Sequence, residues 1–109
     1  MKRQLIIDLE TSALTPEVGD IVRFRAESVC NPDDEFDEWV KPPRPLSHEA
    51  EEVIGTTNGR LAHCRPMHVA LPDFLDFIDG AELLGDRLKF DLAFLIEAMQ
   101  NFENVPIIN

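Results

Sequence analysis

The chain has 109 residues, 44% of them hydrophobic, two cysteines and a formal net charge of −11. That length supports one domain with a small core, no apolar run approaches the ~20 residues that span a bilayer, and two cysteines are too few for a disulfide framework, so a reduced, cytoplasmic setting is expected. So acidic a surface excludes tight nonspecific duplex binding, which draws its affinity from Lys and Arg against phosphate.

Gln4 to Asp8 reads as a first, buried strand. Thr11 to Gly19 reads as a loop turning near Pro16 and Gly19, and Asp20 to Cys30 as a second strand. Asn31-Pro32-Asp33-Asp34 is a turn signal, and Glu35 to Val40 reads as a third strand with Phe36 and Val40 on one face, giving an antiparallel meander. The acidic run Asp33, Asp34, Glu35, Asp37 and Glu38 is read as a solvated hairpin face. Pro42, Pro43 and Pro45 form a rigid linker. Ser47 is the expected N-cap of a short helix ending near Gly55, and Thr57-Asn58-Gly59 reads as a further breaker. Val69, Leu71, Phe74, Leu75 and Ile78 form an amphipathic stripe, within which Pro72 is read as a new helix start. Ala81 to Leu84 reads as a fourth strand and Phe90 to Phe102 as a helix, with Phe90, Phe94, Leu95, Ala98 and Phe102 toward the core. Val105 to Ile108 reads as a fifth strand. Strands followed by alternating helix and strand imply an α/β domain with a mixed sheet.

The end of the first strand carries chemistry-bearing residues. Positions i and i+2 of a strand share a face, so Asp8 and Glu10 present two carboxylates side by side. That pairing suits a hard divalent cation, Mg²⁺ or Mn²⁺, although the spacing is equally that of a solvated strand end. His48, His63 and His68 stand in no motif and are read as exposed or half-buried side chains, and His63, Cys64 and His68 lack a fourth ligand at zinc-site spacing.

"IIDLETSAL" and "LLGDRLKFDLAFL" resemble the first and second motifs of the DnaQ-like (DEDD) family of 3′–5′ exonucleases. The similarity runs through nearly the whole chain, "FDEWVKPPRPLSHEAEEVIGTT" included, and extends to the proofreading and PolC-type exonuclease domains of that family. It implies a ribonuclease H-like five-stranded sheet of order 3-2-1-4-5, with strand 2 antiparallel to the rest, which brings Asp91 near Asp8 and Glu10. It further implies that Asp8, Glu10 and Asp91 are the metal-binding and catalytic carboxylates, holding up to two Mg²⁺ or Mn²⁺ ions. Thr11, Leu14 and Phe94 match positions at the terminal nucleotide or its groove, core packing being the other reading of Leu14 and Phe94. The implied partner is a single-stranded nucleic-acid 3′ end; the resemblance names no polymerase partner and no membrane.

The departures from the family pattern are specific. Its third motif, His followed five residues later by Asp, is not found in these 109 residues, so the chain reads as a single domain, 1–109, truncated before that motif and without the C-terminal helices. Asp86-Arg87 stands where the family has His-Asn, Ala13 where many members have Gly, and Arg23-Phe24-Arg25 where an acidic-apolar-Gly pattern is common. An arginine there competes with cations for the carboxylates. The expected function is therefore a slow or inactive 3′–5′ exonuclease, against the alternative of a degenerate, non-catalytic binding module. Uncovered apolar residues such as Ile6 and Ile107 also predict a homodimer.

Overall fold

The computed structural model describes residues 2–103. Its elements are β1 (Gln4–Ile7), β2 (Glu10–Thr11), β3 (Ile21–Ser28), β4 (Glu35–Trp39), α1 (His48–Ile54), α2 (Asn58–Leu61), α3 (Met67–Ile78), β5 (Glu82–Leu84) and α4 (Leu88–Glu103). The strands form one mixed sheet. β3 pairs antiparallel with both β1 and β4, β5 runs parallel to β1, and β2 pairs with the end of β3 beyond β1. The order β4-β3-β1-β5 is the expected 3-2-1-4. β2 continues the pairing of β1 along β3 in the same register, Glu10 lying opposite Arg23 as Ile7 lies opposite Ala26, and the register shifts only between Glu10 and Thr11, which lies opposite Ile21. The expected strand over 105–108 and the side chain of Phe102 lie outside the described residues.

Strand alternation divides the sheet into two faces. Leu5, Ile7 and Leu9 are buried, as are Phe24 and Ala26. They pack on the helices α3 and α4, where Phe24 and Phe36 set their rings 4.8 and 5.3 Å from Phe74. The opposite face carries Ile6, Asp8 and Glu10 on the first strand, with Glu27, Arg25 and Arg23 beside them on β3. Ile6 is 41% exposed on this face, uncovered as the dimer expectation supposed, but among ionic neighbours; Ile107, also named in that expectation, lies outside the described residues.

Two local readings are corrected. Pro72 does not begin a helix; it sits within a continuous α3. A mid-helix proline costs ~3 kcal/mol. Leu71, Phe74 and Ile78 lie on the same helix and are buried, and each such side chain contributes about 1.5–3 kcal/mol, so packing outweighs the proline. Thr57-Asn58-Gly59 is not a breaker but the start of α2. The Thr57 hydroxyl accepts from the Arg60 N–H at 3.1 Å. The Asn58 side chain accepts from the Leu46 N–H and donates to the Leu46 carbonyl, fastening the proline-rich segment to α2. A second apolar cluster of Val22, Leu46 and Leu61 holds α1 and α2 against the sheet through Ala50, Ile54 and Trp39.

The acidic hairpin is more than a solvated face. Asp34 pairs with Arg3, Asp37 with Arg23 and Glu38 with Arg65, each through two hydrogen bonds. The Asp34 fork ties the turn before β4 to the residue preceding β1, and the other two tie β4 to β3 and to the segment before α3. No helix among the described residues is long and apolar enough to cross a membrane.

Candidate functional site

The site forms where the first strand loses its neighbour. The Asp8 N–H still donates to the Arg25 carbonyl at 3.0 Å, toward β3. The Leu9 N–H points the other way, toward β5, but the last paired residue of β5 is Leu84, opposite Ile6. Its partner is instead a side chain: Leu9 donates to Asp91 Oδ2 at 3.4 Å. Gly85 permits this arrangement. A Cβ at that position would lie 2.8 Å from the Ile7 carbonyl oxygen, so only glycine lets the chain pass close to β1 and turn into α4. Asp91 stands in the first turn of α4, its own N–H bonded to the Arg87 carbonyl.

Asp91 is 1% exposed, and its second oxygen, Oδ1, is buried without a hydrogen-bond partner. Burial pushes its carboxyl above the usual carboxylate range. The Leu9 N–H and Arg87 oppose that rise, and the negative charges of Asp8 and Glu10 add to it. Asp91 therefore sits within electrostatic reach of both acids of the first strand, around the backbone of Leu9. Asp8 is exposed, and its Oδ2 lies 3.7 Å from the Arg25 guanidinium. Glu10 is half-buried and faces Arg23 across the β2–β3 pair. Arg23 itself is committed elsewhere: it forks onto Asp37 and stacks 4.6 Å from the Trp39 ring. The Asp37 hydrogen bonds raise the guanidinium further, and Arg23 holds the Asp37 carboxyl below its usual range.

A groove of about 500 Å³ opens beside Glu10, between the segment from Thr11 to Leu14, α1 and the start of α4. Thr11 and Leu14 line it. The Thr11 hydroxyl donates to the Ala13 carbonyl, and Leu14 is 82% exposed. Phe94 does not reach this groove. Its ring is 2% exposed, packs in the main core beside Phe90 and lines a separate apolar cavity with Ile21, Met67 and Ala98. His63 and His68 are exposed, and the His48 side chain lies against Glu51 and Glu52 of its own helix. Ala50, Val53 and Arg87, which complete the groove, were not read as site residues. The one signal was Arg87 itself, an arginine in place of the family's Asn.

Among the described residues no three His, Cys, Asp or Glu side chains converge into a ready-made metal cage. The donor set nonetheless suits a hard cation. It consists of carboxylate oxygens, one of them an orphaned buried acceptor that a cation would satisfy.

The sheet order, the interrupted first strand and a buried Asp at the head of the following helix define an α/β nuclease-type fold of the ribonuclease H-like class. The chain belongs to the RNase_T exonuclease family, whose model matches residues 5–109. It is 30% identical over 93 residues to the PolC-type DNA polymerase III of Thermotoga petrophila, covering 84% of this chain and 7% of that protein. With the PolC-type enzyme of Streptococcus agalactiae it shares 28% identity over 106 residues, 95% of this chain and 7% of the relative. The chain thus spans about 7% of the length of these curated relatives. Among solved structures, apo Exonuclease I superposes with a TM-score of 0.78 at 14% identity, over 94% of this chain and 25% of that one. A 3′-exonuclease that recognises the histone mRNA stem-loop superposes with a TM-score of 0.72 at 22% identity, over 92% and 41%. The family resemblance carried by the two sequence motifs is therefore correct.

Proposed function

We propose that this exonuclease-family chain is a metal-dependent phosphodiesterase acting at single-stranded 3′ ends, with Asp8, Glu10 and Asp91 as its metal-binding carboxylates. The observation that carries the reading is the buried, unpartnered Oδ1 of Asp91, beside two further acids at a strand end. A folded protein keeps an uncompensated carboxylate oxygen at a cost, and such costs concentrate at functional sites. Mg²⁺ or Mn²⁺ bound there would supply a water nucleophile at neutral pH and neutralise charge on the leaving oxygen. The chain's own residues do the positioning. The Leu9 N–H fixes the Asp91 carboxyl, the Ile7–Glu10 backbone sets the Asp8 and Glu10 side chains, and Thr11 and Leu14 border the space for the terminal nucleotide.

The Arg25 guanidinium, 3.7 Å from Asp8, would compete with a cation for that carboxylate. No histidine stands beside the three carboxylates among the described residues. A positioned general base contributes 10²–10⁴-fold, so slow turnover is expected from the 109-residue chain. A cytoplasmic setting goes with this reading.

The test is a 5′-labelled single-stranded oligonucleotide incubated with Mn²⁺. The expected product is a ladder shortening from the 3′ end, lost in Glu10→Ala. No products from the wild-type chain, or a ladder unchanged in Glu10→Ala, would overturn the proposal.

A further inference from the structure

The groove beside Glu10 is built for a particular part of the substrate. Two large aliphatic side chains on its lining, Leu14 and Val53, are 82% and 87% exposed. Exposed aliphatic surface in a groove suits the flat face of a nucleobase. The charges are less favourable: Glu10 and Glu49 both line the groove and repel a phosphate chain. Among the described residues Arg87 is the one cation on the lining. It is exposed, and its guanidinium lies 4.6 Å from the centroid of the Phe90 ring, which helps to hold the side chain in place. Arg3, Arg23, Arg25, Arg44 and Arg65 all form ion pairs, whereas among the described residues Arg60 and Arg87 form none, and of these two Arg87 lines the groove. The Asp91 N–H bonds to the Arg87 carbonyl, so this guanidinium is anchored one helical turn from the proposed metal-binding carboxylate.

Resting on the exonuclease reading, we propose that Arg87 is a substrate-selecting residue that binds an internucleotide phosphate adjacent to the one being cleaved. The guanidinium supplies the positive charge that an acidic groove otherwise lacks, and its planar fork matches phosphate oxygens. Arg87 thereby favours a single-stranded oligonucleotide over a substrate with one phosphodiester. It holds the strand and takes no part in bond cleavage.

The test measures binding of a fluorescein-labelled six-residue oligothymidylate to the full 109-residue chain by anisotropy, in Ca²⁺ and across a range of salt. Nuclease activity in Mn²⁺ is followed in parallel on the same oligonucleotide and on a nitrophenyl ester of thymidine 5′-phosphate. Arg87→Ala is expected to weaken binding about tenfold, as for loss of one charge-assisted contact. It should lower the slope of log K against log salt by about 0.7, the single-strand value for one phosphate. Cleavage of the single-phosphodiester ester should fall much less than cleavage of the oligonucleotide, and Arg87→Lys should restore most of the salt slope.

Wild-type binding and slope in Arg87→Ala would overturn the Arg87 assignment while leaving the exonuclease reading intact. Weaker binding with an unchanged slope would show that the residue stacks and holds no phosphate, which also overturns it. A wild-type chain that neither binds nor cleaves the oligonucleotide would overturn both this inference and the reading on which it rests.

Discussion

Asp91 is buried with one oxygen bonded to the Leu9 N–H and the other unpartnered, so the fold carries an unsatisfied acceptor that a single substitution can relieve. An unsatisfied buried polar group costs about 1–3 kcal/mol, and more when it is charged. Asp91→Asn keeps an oxygen to accept from Leu9 and removes the charge, while leaving an amide N–H₂ in place of Oδ1. The expected gain at neutral pH is therefore ~1–2 kcal/mol, part of the penalty and not all of it. At ~2.1 cal/mol/K per residue, 109 residues unfold with an entropy of about 0.23 kcal/mol/K, so the Tm should rise by about 4–9 °C. The sign of the pH dependence follows from the direction of the shift. The Asp91 carboxyl titrates above its ordinary value of 3.8 in the folded chain. Its cost is absent below that ordinary value, grows as pH rises toward the folded value, and is constant beyond it. The assay is thermal unfolding of both proteins in chelator from pH 4 to pH 7.5, repeated with Mn²⁺. The Tm gap should be small in acid and full at neutral pH. Mn²⁺ at a hundred times its Kd should add ~2.7 kcal/mol to the wild type and nothing comparable to Asp91→Asn. An Asp91→Asn protein less stable than wild type at pH 7 in chelator, with an unaltered pH profile, would refute the argument.

Removing the competitor at Asp8 should act in the opposite sense to removing a ligand. Arg25→Ala frees Asp8 from a guanidinium at 3.7 Å, and since an exposed pair of this kind contributes ~0–1 kcal/mol, Mn²⁺ affinity should rise by up to about fivefold in a calorimetric titration. Weaker binding would show that Arg25 supports the site. Gly85→Ala places a methyl group 2.8 Å from the Ile7 carbonyl oxygen, and overpacking of this kind costs typically 1–3 kcal/mol. Denaturant unfolding should show that loss together with weakened Mn²⁺ binding, because the same approach positions Asp91; full stability would mean that the β1–β5 junction relaxes freely.

Much of the sheet was legible because its signals are local. Alternation in Gln4–Ile7 and Ile21–Ser28, and the turn chemistry of Asn31 to Asp34, fix strands and meander without reference to distant residues. Thr57-Asn58-Gly59 misled because its breaker residues also make an N-cap, and Leu46, twelve residues away, supplies the partners that Asn58 needs. Pro72 misled because the intrinsic penalty of proline was set above the amphipathic stripe that surrounds it, whose burial keeps the helix continuous. At the candidate site, the pairing of Asp8 and Glu10 was readable from strand spacing, Asp91 from the family resemblance, and an arginine competitor from the Arg23-Phe24-Arg25 segment. The burial of Asp91 and its bond to the Leu9 N–H were not, since both depend on where β5 stops. Leu14 and Phe94 matched the same family groove, yet the fold sends Leu14 outward and Phe94 into the core. Sequence spacing says which residues share an element, and only packing says which way a loop residue or a helix face turns.

The central claim is that Asp8, Glu10 and Asp91 together hold a divalent cation. Anomalous diffraction from crystals soaked in Mn²⁺ tests it most directly. The account predicts a Mn²⁺ peak within ~2.3 Å of carboxylate oxygens of Asp91 and at least one of Asp8 and Glu10, with the Arg25 guanidinium displaced from Asp8. A peak at other residues, or saturating Mn²⁺ that leaves Asp91 Oδ1 unpartnered, would contradict it.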